Sequence, residues 1–286
     1  MWDTAPNPDD SPLTEQLRQS LAGTGLKAPS LPDVALQIGM ASREDDLSTP
    51  QLATIIGRDP ATAIRVISVA NMVGVRGAGR EVTTLPAAVT RIGLESTRVL
   101  ARCTAMEHLF VAKRPHLAEL MRRIWRHSIE TAAFTRALSE ETGRFDPDTA
   151  LMLGLMSQIG TLPVIACLDR RPDFAPCSAD QIEDATFDLQ AGIGERVLRE
   201  WGLPAPMITA VGQCWNMTRD GDTATLADLA TVAFWHTCPA GHRMRLRQPL
   251  ETVTAFGRLG LPTTLVQDEH PALWAANARA LLRLGG

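Results

Sequence analysis

Five cysteines, Cys103, Cys167, Cys177, Cys214 and Cys238, are all that the 286 residues contain, and no two of them form a C-x-x-C pair. An odd count at such spacing supplies neither a disulfide framework nor a zinc knuckle. An excess of positive charge is missing too. Lys and Arg number 28 against 32 Asp and Glu, giving a formal charge of −4, whereas recognition of a phosphate backbone rewards a concentrated basic surface. Nucleic acid is therefore not an expected partner. The start, Met1-Trp2-Asp3, has no basic stretch leading into an apolar one, so no secretory leader is expected and the free thiols point to a reducing cytoplasm. The longest nearly uncharged stretch, Thr149 to Leu168, holds Ser157, Gln158, two glycines and a proline. It reads as a buried helix rather than a membrane span.

Familiar catalytic motifs are absent as well. The chain has no G-x-S-x-G and no G-x-x-x-x-G-K-[ST], and the glycines of Gly74-Val75-Arg76-Gly77-Ala78-Gly79 do not follow a strand pattern. His108, His116, His236, His242 and His270 have no Asp or Glu at i+4 and no second histidine at that spacing, which excludes a zinc motif of the helical type.

What remains is a globular balance, 45% hydrophobic and 21% charged, enough to bury a sizeable core. Residues 1–12 hold three prolines and three aspartates, with few apolar groups to offset the entropy of ordering, and are expected to form a tail outside the fold. From Leu13 onward apolar residues recur at three and four: Leu13, Leu17, Leu21; Val34, Ile38; Ala63, Ile64, Ile67; Val89, Ile92. Helix starts are marked by Ser48 with Gln51, Asp59 before Pro60, Asp146 before Pro147 and Ser178 with Gln181, where a side-chain oxygen takes an orphan N–H and proline loses no needed donor. Period-two alternation is confined to Arg243-Met244-Arg245-Leu246-Arg247. The pattern predicts an all-α fold without a repeat of constant period. Gly154, in mid-helix at a cost of about 1 kcal/mol relative to Ala, predicts close approach of a neighbour.

Several segments fall in a recognisable order. They are Pro29-Ser30-Leu31-Pro32; Arg58-Asp59-Pro60-Ala61 leading into Val66-Ile67-Ser68-Val69-Ala70-Asn71; Val82-Thr83-Thr84-Leu85-Pro86-Ala87-Ala88-Val89; and Ile92-Gly93-Leu94. Downstream come Ile124-Trp125-Arg126-His127-Ser128, Leu153-Gly154-Leu155-Met156-Ser157-Gln158-Ile159-Gly160 and Leu198-Arg199-Glu200-Trp201-Gly202-Leu203-Pro204. This order resembles the HDOD family, helical signalling domains distantly similar to HD-type metal-dependent phosphohydrolases. The resemblance spans residues 13–215 and implies a multi-helix HD-like domain, with residues 216–286 expected as a helical extension packed on it. Each segment also has a plain reading. Asp59-Pro60 opens a helix whose face Ala63, Ile64, Ile67 and Ala70 is core by periodicity; Asn71 ends it, and Thr84 caps the next.

Hydrolysis at an HD-type site needs a histidine, an adjacent His-Asp pair and a further aspartate around a metal that polarises phosphate and generates hydroxide. By resemblance the first histidine is His127, and the pair falls on Ser157-Gln158. A hydroxyl and a neutral amide offer neither an imidazole nitrogen nor a negative charge. The places where many HDOD sequences hold further histidines correspond to Asp188 and to Cys214-Trp215, which leave a mixed hard and soft donor set. The resemblance thus implies a degenerate pocket of His127, Ser157, Gln158, Asp188, Cys214 and Trp215, with no catalytic residue, no metal and no cofactor. Taken alone, His127 also reads as a core-edge residue donating one ring proton to a carbonyl.

Without chemistry, function would reside in surfaces. Trp125, Trp201, Trp215, Trp235 and Trp274 read mostly as core, with one or two lining the groove left by the metal. Basic residues gather at Lys113-Arg114, at Arg122, Arg123 and Arg126, and at Arg243, Arg245 and Arg247, each readable as a solvated face or a phosphate contact. The expectation is a cytoplasmic, non-enzymatic signal-transduction regulator that acts in trans on signalling proteins, such as kinases or cyclic-dinucleotide turnover enzymes, with no membrane partner. The alternatives are a residual metal-dependent phosphohydrolase and a nucleotide or nucleic-acid binder using the arginines.

Overall fold

The structure is a computed structural model that describes residues 11–23, 26, 28–41, 47–77, 79–174, 177–238 and 249–284. Residues 1–10 of the expected tail and the Arg243–Arg247 run lie outside the described residues. The expected all-α class holds: 72% of the described residues are helical, and none of them forms a strand. In chain order the helices are α1 (Pro12–Gly23), α2 (Asp33–Ala41), α3 (Thr49–Ile56), α4 (Pro60–Asn71), the single turn α5 (Val73–Arg76), α6 (Leu85–Ile92) and α7 (Leu94–Glu107). There follow α8 (Pro115–Thr142), α9 (Pro147–Met156), α10 (Thr161–Arg170), α11 (Ala179–Glu200), α12 (Ala205–Gln213), α13 (Leu226–Thr237), α14 (Ala255–Leu259) and α15 (Pro271–Leu284). They divide into two units: residues up to 29 with 110–280, and residues 30–109 with 281 onward.

The caps fall where side chains can satisfy the first orphan N–H groups. Asp59 accepts from Ala61 N and Thr62 N, each at 3.3 Å. Asp146 accepts from Thr149 N at 2.7 Å. Ser178 and Gln181 form a reciprocal capping box at 3.2 and 2.9 Å. Thr84 occupies the N-cap position of α6, but its side chain makes no cap bond there, so its role is backbone geometry alone. In the unit of α2–α7, Leu52, Ile56, Val66, Val89 and Leu100 form part of the core. Asn71 does more than end α4: its amide brackets the backbone of Val82 at 2.8 and 2.9 Å, tying the end of α4 to the segment that leads into α6.

In the larger unit α8 is the spine. Its start is tied down by Asp169, whose carboxylate accepts from Lys113 N at 2.7 Å and Arg114 N at 3.0 Å. Gly154 allows the predicted close approach. A Cβ there would stand 2.4 Å from Ala132 Cα, so α9 lies backbone to backbone on α8. The stretch Pro147–Arg170 has the length and hydropathy of a membrane span, but 89% of its most apolar window is buried inside the protein, and the turn at Ser157–Gly160 breaks it into α9 and α10. Phe134 and Leu138 of α8 share a core with Leu229 and Val232 of α13, Phe256 of α14 and Leu273 of α15. Asp228 locks this corner. Only 1% exposed, it accepts from Arg219 at 2.7 Å and Arg258 at 2.6 Å, and from Thr225 N at 2.7 Å.

Candidate functional site

Two helices present side chains to the cavity at the helical spacing i, i+3, i+4, i+7, all of them polar but one phenylalanine. Helix α8 presents Arg123, Arg126, His127 and Glu130, and α11 presents Glu183, Thr186, Phe187 and Gln190. Each set lies along one stripe because 3.6 residues complete a turn. Gln158 from the α9–α10 turn and Phe234 from α13 close the space between them. With Leu120, Ile124, Thr161 and Cys238 they enclose a cavity of about 290 Å³.

The hydrogen bonds fix the orientation of the inner groups. Ser128 Oγ donates to Ile124 O at 3.0 Å, so towards Gln158 Nε2, 3.2 Å away, it can only accept. That contact assigns the NH2 end of the amide to this side. The same Nε2 lies 3.3 Å from His127 Nδ1, which therefore accepts. His127 Nε2 then bears the proton and donates to Thr237 Oγ1 at 3.0 Å, and the threonine passes its own proton to Ala233 O at 3.0 Å. The ring proton thus goes to a hydroxyl rather than to a carbonyl.

The aromatic wall is held from behind. Trp215 meets Phe234 edge-on at 4.4 Å and Phe187 at 5.5 Å, and its indole N–H donates to Ser157 O at 3.2 Å. Phe234 packs on the His127 ring at 4.7 Å. The floor is equally close: a Cβ on Gly160 would stand 2.0 Å from Gln190 O, so the turn rests directly on the backbone of α11.

Of the residues proposed from sequence, His127 and Gln158 face the cavity. Ser157 is 1% exposed and turns its hydroxyl back to Gly154 O at 2.8 Å. Trp215 stands behind the wall, whose lining aromatics are Phe187 and Phe234. Cys214 is buried and directs its thiol to Val211 O at 3.3 Å; burial pushes the thiol pKa far up, so it is no thiolate. Asp188 does not reach the cavity. It sits on the exposed side of α11, where Thr14 Oγ1 approaches it at 3.5 Å.

The residues present do not fit the divalent metal of HD-type hydrolases. Among the described residues no group of three or more His, Cys, Asp or Glu is placed to hold an ion. His127, the one imidazole among the described lining residues, has both nitrogens engaged, and the Gln158 group beside it presents N–H rather than a lone pair. Of the carboxylates at the cavity, Glu183 pairs with Arg123, while burial pushes the Glu130 pKa up and nearby Arg126 pulls against that rise. A hard cation needs ionised oxygens converging at one point.

The profile of the HDOD domain matches residues 28–217, about two thirds of the sequence. The chain belongs to the HDOD domain family. Among solved structures, a protein of Shewanella amazonensis SB2B provisionally named a metal-dependent phosphohydrolase is 27% identical, with a TM-score of 0.65 over 93% of this chain and 98% of that one. An HDOD domain protein of unknown function from Geobacter sulfurreducens is 17% identical, with a TM-score of 0.61 over 93% and 96%. A protein of Marinobacter aquaeolei VT8, provisionally named for signal transduction, is 19% identical, with a TM-score of 0.60 over 99% and 67%. These two share the HDOD fold. No curated protein matches the chain significantly.

Proposed function

We propose that this HDOD chain is a non-catalytic regulator in bacterial signal transduction, working by binding in the place where HD-type relatives hydrolyse. One observation carries the reading. Both ring nitrogens of His127 are spent inside the protein, Nδ1 on the Gln158 amide and Nε2 on Thr237. A metal ligand needs an open nitrogen lone pair, and hydrolysis needs the ion that such a lone pair would help to hold. Its partners on this reading are other signalling proteins, kinases or cyclic-dinucleotide turnover enzymes, which it would engage through its surface rather than as substrates.

The test uses the full chain, loaded separately with Mn, Fe(II), Ni and Mg, desalted and submitted to elemental assay, then incubated with bis(p-nitrophenyl) phosphate. The expected result is metal well below one equivalent and no turnover above buffer. Stoichiometric metal, or turnover that disappears in His127→Ala, overturns the proposal.

A further inference from the structure

Gln190 is 3% exposed and lines the cavity, and among the described residues its amide has no hydrogen-bond partner. Its amide atoms are not sealed off from solvent, and the residue belongs to the cavity lining. An amide buried to this degree is normally paired. Gln158, 6% exposed, spends its Nε2 on His127 and Ser128, and its Oε1 has no partner among the described residues. Thr161 and Thr186 donate their hydroxyl protons to Gln158 O at 2.8 Å and Ile182 O at 2.7 Å, so towards the cavity they offer lone pairs only. The unspent inventory is one complete amide, one carbonyl oxygen and two hydroxyl acceptors, beside the rings of Phe187 and Phe234.

Among the described residues the charges at the same cavity offset one another. Arg123 is ion-paired to Glu183 and Arg126 lies beside Glu130. A phosphate entering there would meet two carboxylates along with the two guanidinium groups, and neither cation is unopposed.

We propose that this cavity binds an uncharged, flat heterocycle of nucleobase or nucleoside size, reading its donor–acceptor edge with the Gln190 amide and stacking its ring on Phe187 or Phe234. A glutamine amide matches such an edge with one donor and one acceptor in a plane. Aromatic side chains contribute stacking irrespective of which base is present. The volume of about 290 Å³ lies at the small end for ligand sites and suits one ring system with a sugar rather than a dinucleotide. The inference rests on the reading of the cavity as a binding site without a metal, and it separates this chain from phosphate-bearing substrates.

The test is calorimetric titration of the full chain with adenine, adenosine, guanosine, cytidine and uridine, each nucleoside paired with its 5′-monophosphate. At least one base or nucleoside is expected to bind saturably, with its monophosphate at least about tenfold weaker. Gln190→Leu is expected to lower that affinity about tenfold or more, while circular dichroism and melting remain those of the parent. Gln190→Asn, which keeps the amide, should retain part of the affinity. Absence of saturable binding by all five compounds, equal or tighter binding of the monophosphate, or unchanged affinity in a folded Gln190→Leu protein overturns the proposal. Metal content is read separately, so failure of ligand binding and failure of the metal-free reading register on different measurements.

Discussion

The amide nitrogen of Gln158 stands 3.3 Å from Nδ1 of His127 and directs a proton at it. That contact makes Nδ1 the acceptor and leaves the ring proton on Nε2, facing Thr237. Long-range 15N NMR of histidine-labelled protein at neutral pH is expected to show His127 in the Nε2–H form. Thr237→Val removes the acceptor and should leave the Nε2–H form in place, because the Gln158 contact at Nδ1 persists, with a loss of about 1 kcal/mol in stability. A dominant Nδ1–H pattern in the parent protein would refute the arrangement.

Gly160→Ala tests the contact under the cavity. The added methyl would meet Gln190 O at 2.0 Å and Gly194 N at 2.7 Å, and backbone atoms cannot swing aside as a side chain can. Overpacking of this kind is expected to cost about 3 kcal/mol, or roughly 6–12 °C in melting temperature for a unit of this size. Gly257→Ala, in a helix with nothing within 4 Å of the new Cβ, serves as the control and should be neutral or slightly stabilising. Equal melting temperatures for the two variants would contradict the packing.

Asp228 holds Arg219 and Arg258 together at 1% exposure. Asp228→Asn keeps the shape but strips the countercharge from two largely buried guanidinium groups, and should cost about 3–5 kcal/mol. Urea unfolding measures it. A loss under about 1 kcal/mol would show the pair to be no more than a surface contact.

Thiol reactivity should separate the cysteines by burial. Cys103 is 2% exposed and its pKa is pushed up to about 12 by burial, while Cys214 is 3% exposed and also shifted upward. Cys177 is only partly buried. Brief iodoacetamide treatment of native protein should therefore modify Cys177 and spare Cys103 and Cys214, as read by peptide mass spectrometry, because the thiolate is the reacting form.

Acid should loosen the start of α8. Burial alone would raise the Asp169 pKa, but hydrogen bonds from the backbone of Lys113 and Arg114 outweigh it and hold the carboxyl below its usual value. A pKa depressed on folding gives stability that is present above the unfolded value, about 3.9, and is lost as pH falls through the folded one. Asp169→Asn should lower stability at neutral pH and flatten the decline below about pH 4. An unchanged acid limb in urea unfolding would argue against this role.

Much of this was legible in the sequence because it depends on local chemistry. Asp59-Pro60, Asp146-Pro147 and the Ser178–Gln181 box act within one turn of themselves, and Gly154 betrayed a close neighbour because glycine in mid-helix needs a reason. His127 and Gln158 were placed together through the resemblance. Asp188 was not placed correctly relative to the cavity, since one residue along a helix turns a side chain by about 100°; Phe187 faces the cavity and Asp188 faces outward. Gln190 gave no signal of its own. Its meaning comes from what surrounds it, although the shared i, i+3, i+4, i+7 spacing from Glu183 to Gln190 and from Arg123 to Glu130 was there to be seen.

Gly160 has one more effect. Since the turn bearing Gln158 touches α11 through main-chain atoms, with no side chain between them to repack, the span from that turn to Gln190 behaves like the jaws of a fixed gauge. An oversized guest cannot be accommodated by sliding one jaw outward; it must carry the whole of α11 with it, including the outer surface where Asp188 stands.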